Sequence, residues 1–335
     1  LMAQIPRAQL VVQGLVVVIA LVVAQQIARM LQLDHAGGVL SVASLATVVV
    51  CARLGWRQAL LGVGGLAVLS VPAVFSLNDP LLATLVLMAA GLGLGISARW
   101  QLKPVYWLLV VSLCMLITNS PLTPGPSPGQ AILIAVALMT SGAVATLLET
   151  RLLSLVGRTA DTYSFAVAHS WRRSWAHGLM LAAATLVTTP IALANHWHTS
   201  GLWLILTPFL VLQPFVRESW KVALHRSLGT LAGVLLVIIL AVGLPQTVPL
   251  QLPAFAAAVL TVVIAIRRGH RALMLTALTA TIVLFNSNSG DLLLRADQRV
   301  LASALGIAIA LLMMALAHLI ERRFSGSPRM LAPEA

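Results

Sequence analysis

The chain has 335 residues, 59% of them apolar and only 9% charged, with a mean hydropathy of +0.98. That composition excludes a soluble domain and defines a polytopic membrane protein. The net charge of +12 does not point to nucleic acid, because the cations sit in short links between apolar runs.

Twelve apolar segments can be drawn, at 9–30, 38–52, 58–76, 81–98, 104–119, 129–150, 176–195, 202–216, 227–244, 252–266, 272–287 and 299–320. The first follows Arg7 and is long enough to cross, so it reads as a retained helix rather than a cleaved signal. With both termini in the cytoplasm, the inner links hold 18 of the cations and the outer links hold 3. Such a bias supports a twelve-span topology. Segments 38–52 and 202–216 are short, and are expected to be irregular spans lining a cleft. Pro208 and Pro214 should kink or interrupt the second of them. Between the halves, 151–175 carries Arg172, Arg173, Trp171 and Trp175, the make-up of a cytoplasmic helix lying at the interface. The tail, 321–335, reads as disordered.

The two halves resemble each other. Arg53-Leu54-Gly55-Trp56-Arg57-Gln58-Ala59-Leu60 recurs 164 residues on, at Arg217-Glu218-Ser219-Trp220-Lys221-Val222-Ala223-Leu224. Both read R-x-x-W-R/K-x-A-L. Ile117-Thr118-Asn119-Ser120 matches Leu284-Phe285-Asn286-Ser287. Six spans per half make the repeats parallel rather than inverted. The expected fold is therefore all-α. A first six-helix repeat fills 1–150 and a linker 151–175. A second repeat fills 176–320, and the tail follows.

Polar residues within the apolar frame are few. Arg226 precedes the pattern Gly229-Thr230-x-x-Gly233, and is read as opening an apolar helix. A forked guanidinium at a helix start suits a carboxylate or phosphate. The bland alternative is a topology-setting cation followed by packing glycines. Arg299 opens a second copy of the pattern, with Ser303 and Gly306, and a local pair with Asp297 is its bland reading. Gln213, Asn119 and Asn286 could donate amides to a carboxylate, or could simply end helices. His196-Trp197-His198 lacks a third metal ligand, Cys51 and Cys114 lie in apolar segments, and His318 reads as snorkelling to the surface. No metal, cofactor or disulfide is expected. Nucleotide-binding, nucleophile-elbow and zinc-protease motifs are absent from the sequence, so no enzyme is expected. Intramembrane carboxylates are nearly absent, and none suggests how a proton could be coupled.

The run from Trp203 through Val211-Leu212-Gln213-Pro214 to Arg226-x-x-Gly229-Thr230-x-x-Gly233 resembles the signature of the fusaric acid resistance-like (FUSC) inner-membrane proteins, or aromatic acid exporters. The resemblance implies a secondary transporter exporting aromatic or other organic carboxylates across a bacterial inner membrane, driven by the proton gradient. The residues read above as candidate contacts for such an anion are Arg226, Gln213, Thr230, Arg299, Asn286 and Asn119. The resemblance also implies a periplasmic adaptor protein or a homo-oligomer as partners, besides the bilayer. A passive anion channel, akin to plant malate channels, and a non-transporting membrane component of an efflux assembly are the alternatives.

Overall fold

Each apolar run forms a helix, and the helix ends are set by residues that can be named. The computed structural model describes residues 7–33, 36–76, 79–118, 127–155, 167, 169–195, 198–214, 216–243, 251–267, 270–285 and 292–325. Among these there is no strand. The first six helices are α1 (Arg7–Met30), α2 (Gly37–Leu54), α3 (Trp56–Phe75), α4 (Pro80–Ser97), α5 (Lys103–Thr118) and α6 (Pro128–Leu155). The remainder are α7 (Trp171–Ala194), α8 (His198–Val211), α9 (Val216–Gly243), α10 (Gln251–Ile266), α11 (Arg271–Phe285) and α12 (Leu292–Ser325). A 3-10 turn, Ala98–Trp100, extends α4.

Asp79 caps α4, its Oδ1 accepting from the Leu81 and Leu82 amides at 2.9 and 3.1 Å, and Pro80 takes the first helical position. Gly55 turns the chain from α2 into α3 at φ 88°, which a side chain would resist.

Among the described residues, eight helices are long and apolar enough to cross a membrane. Lys103–Thr118, Gly201–Val211, Leu252–Ile266 and Arg271–Leu284 are shorter apolar helices. Of the expected pair of short spans, only the second is short. α2 has 18 residues and reaches about 27 Å, whereas α8 has 14 and reaches about 21 Å against a hydrocarbon core of ~30 Å. Hydropathy misjudged α2 because the helix keeps its geometry through Arg53 to Leu54.

The helices around the centre are α2, α5 and α8. α2 buries 15 of its 18 residues and α5 buries 14 of its 16. Residues 201–211 of α8 are all buried. Outer helices instead expose apolar stripes, such as Val11, Leu15, Val18 and Val22 on α1 and Leu228, Leu231 and Leu235 on α9, the pattern of a lipid-facing surface.

Within residues 7–155, α1 packs on α2 and α6, α2 on α6, α3 on α5 and α6, and α4 on α5. Within 171–325, α7 packs on α8 and α12, α8 on α12, α9 on α11 and α12, and α10 on α11. The halves meet where α4 packs on α7, α10 on α1 and α5 on α8. The α4–α7 crossing is the most extensive of all. Gly95 makes it so, since a Cβ there would lie 2.1 Å from the Gly178 Cα.

Several expectations change. α8 runs through Pro208 unbroken and ends at Val211. The carbonyl that Pro208 leaves without a donor is that of Leu204, and Gly306 of α12 packs against it. The residues 217–226 are not a link. They are the opening turns of α9, because Arg, Glu, Lys, Ala and Leu are good helix formers and hydropathy marks only where a helix turns apolar. Likewise α12 starts at Leu292, not at 299, and continues to Ser325, so the first part of the supposed disordered tail is helical. The expected interfacial helix at 151–175 is divided: α6 runs on to Leu155, α7 begins at Trp171, and 156–166 lies outside the described residues. Trp171 and Trp175 are exposed, as interfacial anchors would be.

Candidate anion site

Arg226 is the eleventh residue of α9, so it does not open the helix and the helix dipole adds little there. Its importance lies in its burial. The side chain is 0% exposed, and none of Nε, Nη1 and Nη2 has a hydrogen-bond partner. Its guanidinium carbon stands 4.7 Å from the ring centroid of Trp203 on α8, which is itself 1% exposed. The indole Nε1–H of Trp203 is also unpartnered.

One turn beyond Arg226, Thr230 is buried with a free hydroxyl, and so is Ser303 on α12. α8, α9 and α12, which carry these groups, all pack on one another. Burying an unpaired cation costs several kcal/mol, and a desolvated cation–π contact returns only about 2 kcal/mol. The arrangement is rich in donors, and no carboxylate among the described residues is bonded to Arg226. An anion with several acceptor oxygens is what would complete it.

The glycines of the same motif do something else. A Cβ on Gly229 would lie 2.8 Å from the Leu275 Cβ, and one on Gly233 would lie 2.7 Å from the Thr279 Cβ. They allow α9 to press on α11, as the bland reading of the glycines holds. Toward the start of α9 stand further cations. His225 stacks edge-on with His270 at 5.1 Å, and Lys221, Arg267 and Arg271 are exposed nearby in sequence or across the α9–α11 contact.

Gln213 has another task. Pro214 cannot donate to Leu210, and the Gln213 amide does so instead at 2.9 Å. Ser219 Oγ accepts from the Gln213 backbone N–H at 2.8 Å, and Lys103 Nζ donates to the Leu212 carbonyl. The break after α8 is therefore satisfied wholly by protein, as a break at membrane depth must be. Lys103 is 3% exposed and reaches this carbonyl from α5, across the two halves. Its sequence context, one of two cations with Arg99 in a short link, gave no sign of that.

Arg299 is the eighth residue of α12, and Asp297 lies within the same helix, so neither the helix-start nor the N-cap reading holds. The Arg299 side chain lies outside the described residues, as do Asn119, Asn286, His196 and Trp197. No group of three metal-ligating side chains occurs among the described residues.

Glu149 is one of the few intramembrane carboxylates, and the sequence reading did not single it out. It sits in α6 at 0% exposure, and neither oxygen has a hydrogen-bond partner. The only signal in sequence was its place in the apolar run Thr146-Leu147-Leu148-Glu149. His177 is comparable: it is 2% exposed, immediately precedes the Gly178 crossing, and both ring nitrogens are unpartnered.

Eight spanning-length apolar helices among the described residues, with a cation sealed between them, define a multi-pass membrane protein. Residues 181–313 match the family model described as fusaric acid resistance protein-like. That segment, which contains α8, α9, α10 and α11 entire and under half of the chain, is similar to the FUSC-like family, whose description points to a resistance role. No curated protein and no solved structure matches the chain.

Proposed function

We propose that the protein is a secondary transporter exporting aromatic or other organic carboxylate anions across a bacterial inner membrane. One observation carries this reading: Arg226, fully buried against Trp203 with its donors unused, within the FUSC-like segment. The fork of the guanidinium suits a carboxylate, and the indole beside it suits an aromatic ring. Thr230 and Ser303 supply further donors. Gln213 is a structural cap in this reading, and Arg299, Asn119 and Asn286 are secondary candidates.

Twelve spans in two parallel repeats remain the architecture we favour. The recurrence of helix pairs supports it: α1–α2, α2–α6, α3–α6, α3–α5 and α4–α5 correspond to α7–α8, α8–α12, α9–α12, α9–α11 and α10–α11. The junctions α4–α7 and α10–α1 correspond in the same way. The α2–α5 contact has no counterpart of similar extent, so the second half is the looser one. Both termini would then be cytoplasmic. A single cysteine placed at Arg172 should resist an impermeant thiol reagent in intact cells, and one at Asn195 should react. The reverse pattern would refute the topology.

Glu149 is our candidate for coupling to a proton gradient. A buried carboxyl without donor or cation is sustained by binding a proton or a cation. Glu149→Gln keeps the shape but cannot titrate. Export by this variant should lose its acceleration by an imposed pH gradient, at unchanged abundance. Undiminished acceleration would remove Glu149 from the mechanism.

The function itself is tested by following a panel of labelled aromatic acids in cells with and without the protein. Lower accumulation of carboxylates, saturable and dependent on the gradient, is expected. Ohmic anion current would assign a channel, and no difference for any acid would leave only a scaffold.

A further inference from the structure

We propose that the first half of the chain holds a site for one anionic phospholipid, distinct from the Arg226 site. A cleft of about 250 Å³ opens between α3, α4 and α5. Its lining is apolar except for Ser97 and Tyr106, and includes Gly62, Gly65, Gly93, Leu69 and Leu113. The Ser97 hydroxyl is engaged with the Leu94 carbonyl at 2.7 Å, and the Tyr106 hydroxyl lies 3.0 Å from Gln58 Oε1, so neither seeks a polar ligand.

A second, shallower groove along α3 continues the cleft, sharing Leu61 and Gly65, and ends at Trp56 and Arg57. The two form one lane from a cation to a glycine-lined apolar floor. A Cβ at Gly64, Gly65 or Gly93 would meet nothing within 4 Å, so side chains have simply been left out along this lane.

Its length selects the occupant. From Arg57 to Leu69 is twelve residues of α3, or about 18 Å, close to the ~15 Å of one leaflet's hydrocarbon. A small aromatic acid would fill only a fraction of it, whereas one acyl chain fills it. The polar end has the matching chemistry. Arg57 and Trp56 are both exposed, with the Arg57 guanidinium carbon 5.3 Å from the Trp56 ring centroid, at the end of α3 where an indole and a cation meet a phosphate headgroup. The second half lacks the lane, since Arg226 stands at the repeat position of Gly62. We infer a phosphatidylglycerol-like lipid with one chain in the cleft and its phosphate on Arg57.

The test is native mass spectrometry of the purified protein titrated with phosphatidylglycerol and with phosphatidylcholine. Wild type should retain one phosphatidylglycerol, at about fivefold preference over phosphatidylcholine. Arg57→Ala should lose the preference but keep chain retention. Gly93→Leu, which has room for its side chain, should lose retention of both lipids. Monodispersity and Tm are measured for each variant, and Gly65→Leu replaces Gly93→Leu if the latter does not fold. Equal retention of the two lipids by wild type, or unchanged retention in Gly93→Leu and Gly65→Leu, would overturn the proposal. So would displacement of the lipid by benzoate, which would make the cleft a substrate site. None of these readouts depends on export, so failure here is separable from failure of the transport reading.

Discussion

Arg226→Ala is expected to abolish acid export while the protein reaches the membrane in normal amount. The variant removes a buried cation whose donors no protein group uses, so relief of the desolvated charge offsets the lost contact with Trp203 and the cavity left behind. The substrate loses its charge-assisted bonds, worth about 1.5–3 kcal/mol, or roughly ten- to a hundredfold in binding. Arg226→Lys keeps the charge but not the fork, and should retain part of the export at weaker apparent affinity. Arg57→Ala should affect export much less, because Arg57 lies on the exposed surface of α3. If Arg226 only set topology, Lys would replace it fully and Ala would chiefly lower abundance. Export and membrane abundance therefore need to be measured on the same cells.

Gly95→Ala is expected to cost the protein its fold. The added Cβ would sit 2.1 Å from the Gly178 Cα and 2.3 Å from the Gly178 nitrogen, both backbone atoms that cannot rotate away. α4 and α7 would have to separate along the contact that joins the two halves. Overpacking of this kind costs typically 1–3 kcal/mol and more where backbone meets backbone. A large fall in Tm and in membrane abundance should follow. Gly93→Ala, two residues away with nothing within 4 Å of its Cβ, should leave both unchanged. Equal melting of the two variants would show that the α4–α7 crossing is not as close as described.

The helices were readable in sequence because apolar run length alone fixes them in a bilayer. Their starts were read poorly wherever a helix opens with charged residues. Val216–Ala223 and Leu292–Gln298 look like links by hydropathy but have good helix propensity. That error moved Arg226 from a helix start to a helix interior, and replaced a dipole argument by a burial argument.

The motif found Arg226, Thr230 and Ser303, since local spacing marks them. It could not find the face that Arg226 turns to Trp203, because that depends on how α8 and α9 pack. Lys103 and Glu149 escaped for the same reason. Each is an isolated charge at the edge of an apolar run, and only the tertiary structure shows that neither edge reaches solvent. Gln213 was noticed for its amide, but its partner, the Leu210 carbonyl left free by Pro214, follows from proline chemistry that local sequence does contain.

The central claim is that Arg226 and Trp203 bind a carboxylate, and equilibrium binding to the purified protein tests it most directly. Labelled benzoate and its uncharged analogue benzamide would be titrated onto wild type and Arg226→Ala. Saturable binding of benzoate to wild type alone, with benzamide at least about tenfold weaker, is the result the site predicts. Equal binding of benzoate by Arg226→Ala, or of benzamide by wild type, would contradict it.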